Sequence, residues 1–287
     1  MTHDPIGPAA TEPQIESASK GLLGRTIGSI DDTIHGQATD DRARSKMGVA
    51  NVIEKGYYGI DINNDAQADF PDAGIELKVT PLNTTGDGHL LRPKERLVLC
   101  MVDYNALAEA DHWRDVPGLR KKLSAMHIVW YIHFEDTNRS EYPIIWTDIW
   151  RPTDEWDRRF QEDFEICQEK VLNGEVPSER HVDYLGTCPK HGGGYKKDNP
   201  SQSAPNSTVA KDAHPVLDHA ERRGWSIALG GMLDVLMDST GLEKATHNYC
   251  GGVDAAEFWE LMQSEATGDT MSFARYKDLA GYIPADD

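Results

Sequence analysis

Glu76 and Lys78 stand one residue apart in the stretch Ala68-Asp-Phe-Pro-Asp-Ala-Gly-Ile-Glu-Leu-Lys-Val-Thr-Pro81. Asp72 and Gly74 favour a turn, so Asp69 falls just before it and Glu76 and Lys78 on a strand after it. Side chains alternate across a strand, so Glu76 and Lys78 share one face while Ile75, Leu77 and Val79 pack on the other. An acid and a base aimed at one spot suit phosphodiester hydrolysis. Mg²⁺ takes carboxylate oxygens in octahedral geometry, keeps several waters and neutralises charge developing on a scissile phosphate. Asp69 and Glu76 are the candidate ligands, the Leu77 carbonyl oxygen can join them, and Glu54 can hold a second ion or position its water. Lys78 is suited to orienting the attacking water or steadying a phosphorane's charge. Alone, Glu76-Leu-Lys78 is a short motif that exposed sheet faces also produce.

These side chains need elements to hold them. Across residues 41–54 the apolar Met47, Val49, Ala50 and Ile53 recur at helical steps, predicting a helix that ends near Gly56 with Glu54 at its C-terminal end. Apolar runs over 74–81, 97–102, 127–134 and 142–150 predict four strands. After Pro152, the residues Trp156, Phe160, Phe164, Cys167 and Val171 predict an amphipathic helix of about five turns, its aromatic stripe in the core. Residues 191–213 read as a long polar loop that opens on three glycines. Residues 225–237 and 255–262 predict two further helices, and residues 1–20 a flexible arm. Mixed strands and helices in this order indicate an α/β (α+β) domain.

Composition bounds the reading. The chain has 287 residues, 39% hydrophobic, enough for one main domain with a sizeable core. No apolar run approaches a membrane span, and the first twenty residues lack the charged-then-apolar pattern of a leader, so a soluble cytoplasmic protein is expected. The four cysteines form no C-x-x-C pair, and Cys188-Pro-Lys-His191 lacks two further zinc ligands at credible spacing. A formal net charge of -19 opposes binding to a polyanion. Basic residues nevertheless cluster at Arg42, Arg44 and Lys46, at Arg92, Lys94 and Arg96, at Arg120, Lys121 and Lys122, at Lys196 and Lys197, and at Arg222 and Arg223.

Taken together, the motif resembles the D-x(n)-E-x-K active site of the MutH and Sau-type endonucleases, whose most specific signature, GIELK-T-P, stands here as Gly74-Ile-Glu-Leu-Lys-Val-Thr-Pro81. The family's K-G-x-x-G-x-x-I-E helix is similar to Lys46-Met-Gly-Val-Ala-Asn-Val-Ile-Glu54 in spacing and at both charged ends, though Met47 and Ala50 replace its glycines. A rival match from Lys55-Gly-Tyr-Tyr-Gly59 restores the glycines but puts Asn63 where the acid belongs. Residues 94–99 resemble the Sau-type branch in particular. The resemblance places Lys122 as a catalytic-site lysine contacting the scissile phosphate. It makes Asp183-Tyr-Leu-Gly-Thr-Cys-Pro-Lys190 the segment that enters the major groove, with Cys188, Pro189 and Lys190 at the bases and Lys196 and Lys197 in a clamping loop. Lys46 is a further DNA contact.

The resemblance implies a restriction-endonuclease-like fold, a central mixed sheet flanked by helices. It spans roughly residues 22–237, most of the chain, giving an endonuclease domain over 21–240 and a C-terminal helical extension over 241–287. It implies a Mg²⁺-dependent type II restriction endonuclease acting on duplex DNA at GATC or a related site, with Mn²⁺ as a substitute ion. A homodimer on DNA and a cognate methyltransferase, linked genetically rather than physically, are the implied partners. Cys188 stands where MutH has arginine, which favours restriction over repair. Arg223-Gly-Trp-Ser-Ile-Ala228 lacks the lysine of the family's R-A-F-S-L-K segment. The alternatives are a strand-nicking mismatch-repair endonuclease and a non-catalytic sequence-specific DNA-binding protein.

Overall fold

The computed structural model describes residues 4–35, 48–61, 67–85, 87–190, 208–210, 219–247 and 249–282; Lys46, Asn63, Lys196 and Lys197 lie outside them. In chain order the strands are β1 (Glu76–Thr84), β2 (Leu90–Pro93), β3 (Leu97–Met101), β4 (Met126–His133), β5 (Ile144–Trp150), β6 (Leu185–Pro189), β7 (Thr208–Ala210), β8 (His219–Glu221), β9 (Arg223–Ile227), β10 (Ala245–His247) and β11 (Cys250–Asp254). Two compact units divide the chain: residues 1–95, 125–150 and 233–287 form the first, residues 96–124 and 151–232 the second. One main domain over 21–240 is the sequence expectation. Instead the chain leaves the first unit and returns to it twice.

A six-stranded mixed sheet, ordered β10-β11-β2-β1-β4-β5, carries the first unit. Only the β1–β4 pairing is parallel. β4 is the most hidden strand, with Met126, Ile128, Val129, Trp130 and Ile132 at 0% exposure, as its unbroken apolar run requires. Helices Glu12–Lys20 and Ala255–Glu265 pack on β5. This is the mixed α/β, restriction-endonuclease-like arrangement expected. β1 runs on past Pro81 to Thr84. Pro81 spares the bonds to β4, because its nitrogen lies on the same side as its carbonyl, which accepts from the Lys94 N–H at 2.9 Å next to β2.

Three expectations are corrected. The arm over residues 1–20 is, from Glu12 to Lys20, a helix with Ile15 fully buried. Its start was written in the sequence: the Gln14 side-chain oxygen accepts hydrogen bonds from the Thr11 N–H and hydroxyl, and Pro13 sits in the first turn. The helix expected over 225–237 starts only at Leu229, because Arg223–Ile227 is the middle strand of the second unit's sheet. A short apolar run does not separate strand from helix, and pairing with β3 and β6 on both sides decides for strand. Finally, the C-terminal residues hold the expected helix, Ala255–Glu265, but also β10 and β11, and β11 pairs with β2.

In the second unit, β3, β9 and β6 form an antiparallel sheet. The Asp154–Leu172 helix lays its expected stripe on that unit's core, with Trp156, Phe160, Phe164, Cys167 and Val171 all buried and Phe164 stacked on Trp225 at 5.9 Å between ring centroids. Its Thr153 cap accepts from the Trp156 N–H, and Asn173 ends it before Gly174, whose φ of 79° is left-handed. Among the described residues no helix is long and apolar enough to cross a membrane.

Candidate active site

The first unit brings Glu54, Asp69, Glu76 and Lys78 together. Asp69 and Glu76 are joined by a tight hairpin: Phe70 and Ile75 exchange backbone hydrogen bonds of 2.9 and 3.2 Å across a loop closed by Gly74 at φ 66°. Asp69 Oδ2 then accepts from the Leu77 N–H at 2.9 Å, clamping the first acid to the strand that carries the second. The Glu76 N–H donates instead to the Ala125 carbonyl beside β4. Successive backbone groups alternate in direction along a strand, so the Leu77 carbonyl opens on the Asp69 side, where β2 has not yet begun to pair.

Glu76 and Lys78 do share a face, and there they meet. Lys78 Nζ donates to Glu76 Oε1 at 2.6 Å, with the carboxylate 3% and the ammonium 18% exposed. Glu54 comes from the other side, on a wide π-helical turn over Val52–Tyr57 that continues the short helix Gly48–Asn51. The Tyr58 N–H reaches back to the Ile53 carbonyl, which marks the extra residue in the turn. Such widened turns gather at functional positions. Burial pushes the Glu54 carboxyl up to about 7; Asp69 adds to the rise, Lys78 pulls it down, and Glu76 raises it further. Three carboxyls thus face one lysine in a partly desolvated place, which favours an added cation.

A buried knot that the sequence reading missed holds these segments in place. Tyr58, just past the π turn, bonds its hydroxyl to His127 Nε2 at 2.6 Å and sets its ring edge-on to Phe70 at 5.6 Å. Phe70 is the residue after Asp69, and His127 lies opposite Leu77 in the β1–β4 register. Nδ1 of His127 lies 3.2 Å from the Asp148 carbonyl, which can only accept, so that nitrogen carries the proton and Nε2 accepts from Tyr58. Burial lowers the His127 pKa to about 4 and keeps the ring neutral. The available signal was weak: a tyrosine and a histidine in apolar runs read as ordinary core.

The remaining described candidates, Lys122, Cys188, Pro189 and Lys190, fall in the second unit. Lys122 closes the last turn of the Pro117–Leu123 helix. Lys190 follows β6, donates its backbone N–H to the Arg222 carbonyl at 2.7 Å, and lays its side chain beside Gly224, where an added Cβ would meet its Cε at 3.0 Å. Pro189 is exposed, whereas Cys188 is only 4% exposed. The Cys188 side chain is packed inside the unit, on a strand buried from Leu185 to Cys188.

Among the described residues no three His, Cys, Asp or Glu side chains form a ready metal cage. Mg²⁺ does not need one, since it is commonly bound through one or two carboxylates, with waters and substrate phosphates completing its shell. The donor set of Asp69, Glu76 and the Leu77 carbonyl fits that chemistry.

A family model described as "DNA mismatch repair enzyme MutH" matches residues 58–163, a span that contains Asp69, Glu76, Lys78 and Lys122. A "DNA mismatch repair protein MutH" from Shigella boydii serotype 18 (strain CDC 3083-94 / BS512) is 26% identical over 193 residues, 64% of this chain and 78% of the relative. The chain is similar to MutH over these spans. Its likeness to the protein of the same name from Escherichia coli O6:K15:H31 (strain 536 / UPEC) is 25% over the same 193 residues, again 64% of this chain and 78% of the relative. The MutH model starts after Glu54 and stops before Lys190, so those two positions rest on geometry and on the motif alone.

Proposed function

We propose that the protein is a divalent-metal-dependent DNA endonuclease, with Mg²⁺ as its ion and Mn²⁺ as a substitute, that hydrolyses phosphodiester bonds at GATC or a related short site. The observation that carries this reading is the meeting of Glu54, Asp69, Glu76 and Lys78, with Glu54 raised to about 7 by burial and carboxylate neighbours. Asp69, Glu76 and the Leu77 carbonyl would hold the ion, which when bound supplies Lewis-acid stabilisation of charge on the phosphate. Lys78, already within hydrogen-bond reach of Glu76, aligns the attacking water and meets negative charge on the phosphorane. Glu54 positions the water on its far side, and Lys122 contacts the scissile phosphate. Water attacks phosphorus, the bond to the 3′ oxygen breaks, and the products are a 5′-phosphate and a 3′-hydroxyl.

Restriction and repair are the two forms of this reading. Cys188 and residues 94–99 favour a type II restriction enzyme that acts as a dimer beside a cognate methyltransferase. The similarity to DNA mismatch repair proteins favours the repair form. Incubating the protein with methylated and unmethylated plasmid, with Mg²⁺ or EDTA, and sequencing the ends separates them. Discrete Mg²⁺-dependent double-strand breaks support restriction, and single-strand nicks support repair. Asp69→Ala is expected to bind DNA and not cut it; cleavage at the wild-type rate would reject the assignment of the site.

A further inference from the structure

The hairpin of β10 and β11, outside the span that the MutH model matches, carries a side chain that its backbone disfavours. His247 pairs with Cys250, so Asn248-Tyr249 is a two-residue loop. Loops of that length favour Asn-Gly, because both positions take positive φ. Tyr249 stands where the glycine belongs, at φ 64°, an outlier for a bulky residue. Nothing inside the fold offsets that strain. The side chain is 105% exposed, and among the described residues it has no hydrogen bond, ion pair or ring contact. Strain of this kind gathers where a ligand is held.

Beneath the tip the stem is firmly held. His247 Nε2 lies 2.8 Å from Asp87 Oδ2, and its ring lies against His89 with 4.5 Å between centroids. A Cβ on Gly252 would meet the Leu91 carbonyl oxygen at 2.6 Å, so β11 sits close against β2. Both β11 and β1 are antiparallel to β2, so they run the same way; Val253 lies opposite Leu91, and Leu91 opposite Thr84. Tyr249 precedes Val253 by four residues and Lys78 precedes Thr84 by six, which places both at one end of the sheet. Two residues of rise and two strand spacings separate them, roughly 12 Å. The hairpin also lacks acids: from Lys244 to Val253 the sequence holds a lysine, a histidine and no carboxylate, in a chain of formal charge -19. Glu243 and Asp254 bound that stretch. The Lys244 side chain lies across the stem, its Cε 3.0 Å from where a Cβ on Gly251 would stand.

We infer that the tip of this hairpin is a DNA contact, with the Tyr249 ring packed against a base step of the duplex beside the cut site. The inference rests on the endonuclease reading and adds a contact to it. An aromatic ring gives any base a flat apolar partner without reading sequence, and apolar side chains wedge between base steps from the minor groove. A stem held in place before binding spares the ordering cost. At about 3.4 Å per base pair, a separation of roughly 12 Å brings the ring to the duplex about three or four base pairs from the phosphate at Lys78. Contact with DNA is the gain that the folded chain alone does not give a tyrosine at this position.

The test compares the full chain with Tyr249→Gly and Tyr249→Phe. Glycine relieves the left-handed backbone, so Tyr249→Gly should melt no lower than the wild type. Its affinity for duplex oligonucleotides in EDTA should fall roughly fivefold or more, the loss of one aromatic contact. The log–log salt slope should stay unchanged, because no charge is removed. Tyr249→Phe keeps the ring and should recover most of the affinity. A 2-aminopurine placed about two to five base pairs from the mapped cut should change its emission on binding wild type and not on binding Tyr249→Gly. Wild-type affinity and emission in Tyr249→Gly overturn the contact. So does a Tyr249→Gly that loses only self-association in sedimentation, which would make the tip a contact between two copies of the chain. Cleavage assays with Mg²⁺ separate this inference from the reading beneath it. A wild type that cuts DNA while Tyr249→Gly binds and cuts equally well overturns the contact alone. One that binds duplex through Tyr249 and cuts none overturns the endonuclease reading and keeps the contact, and one that binds no duplex overturns both.

Discussion

At the scale of single residues, the Tyr58–His127 pair makes a stability prediction with a definite sign. His127 titrates near 6.5 when unfolded and about 4 in the folded protein, so folding disfavours its protonation. Its contribution is complete above about pH 6.5 and is lost as pH falls from there toward 4, by up to about 3 kcal/mol. Urea denaturation at pH 7.5 and pH 5 measures the loss. His127→Phe should flatten that pH window while costing about 1–3 kcal/mol at neutral pH, because the buried Tyr58 hydroxyl loses its acceptor; an unchanged pH profile would assign the acid sensitivity to other groups. Lys190→Ala is expected to weaken specific DNA binding by about 1–3 kcal/mol and non-specific binding little, as competition between cognate and scrambled duplexes would read out. An equal loss on all sequences would make Lys190 a backbone contact. The acids and the lysine of the cluster were legible because strand alternation and a turn fix their directions. The His127 knot was not, since nothing in a chain order of residues says that Tyr58 and position 127 will touch.

Elements explain both what the sequence shows and what it hides. Strong local signals, such as the Trp156-to-Val171 stripe or the apolar run of β4, survive folding because the tertiary contacts agree with them. Trp225 to Ile227 could not be placed locally: a run of that length fits a helix as well as a strand, and partners distant in sequence choose between them. The π turn under Glu54 is equally silent, because it follows a helix of only four residues and ends at Tyr57, too short a run for a shift in the apolar period to show. The hairpin between Asp69 and Glu76 offers the cleanest test at this scale. A Cβ added to Gly74 meets nothing within 4 Å, so Gly74→Ala is penalised by backbone conformation alone. The expected loss is about 1–2 kcal/mol, accompanied by slower cleavage as the Asp69 clamp on Leu77 loosens. Chemical denaturation and a cleavage time course together check it; full activity with the expected destabilisation would show that the hairpin supports the fold without tuning the site.

For the whole molecule, net charge sets the approach to a polyanionic partner. A chain of formal charge -19 is repelled by DNA at distances beyond the reach of its local arginines and lysines. Because the Debye length shrinks from about 30 Å to about 10 Å between 0.01 and 0.1 M salt, the association rate should rise over that range, where a basic binder's would fall. Stopped-flow mixing with labelled duplex gives the answer, and a steeply falling rate would mean that the basic clusters dominate even at long range. Most of residues 22–237 could be read against a known pattern, while the last fifty matched none, yet those residues supply β10 and β11. That arrangement gives the protein a calendar. A ribosome releases Glu54, Asp69, Glu76 and Lys78 early, but β2 stays an open edge until Val253 and Asp254 emerge to pair with Leu91 and Leu90. A cell therefore makes the three acids and the lysine long before it makes the sheet that holds them, and any product halted before Ala245 carries a sticky strand in place of a finished sheet.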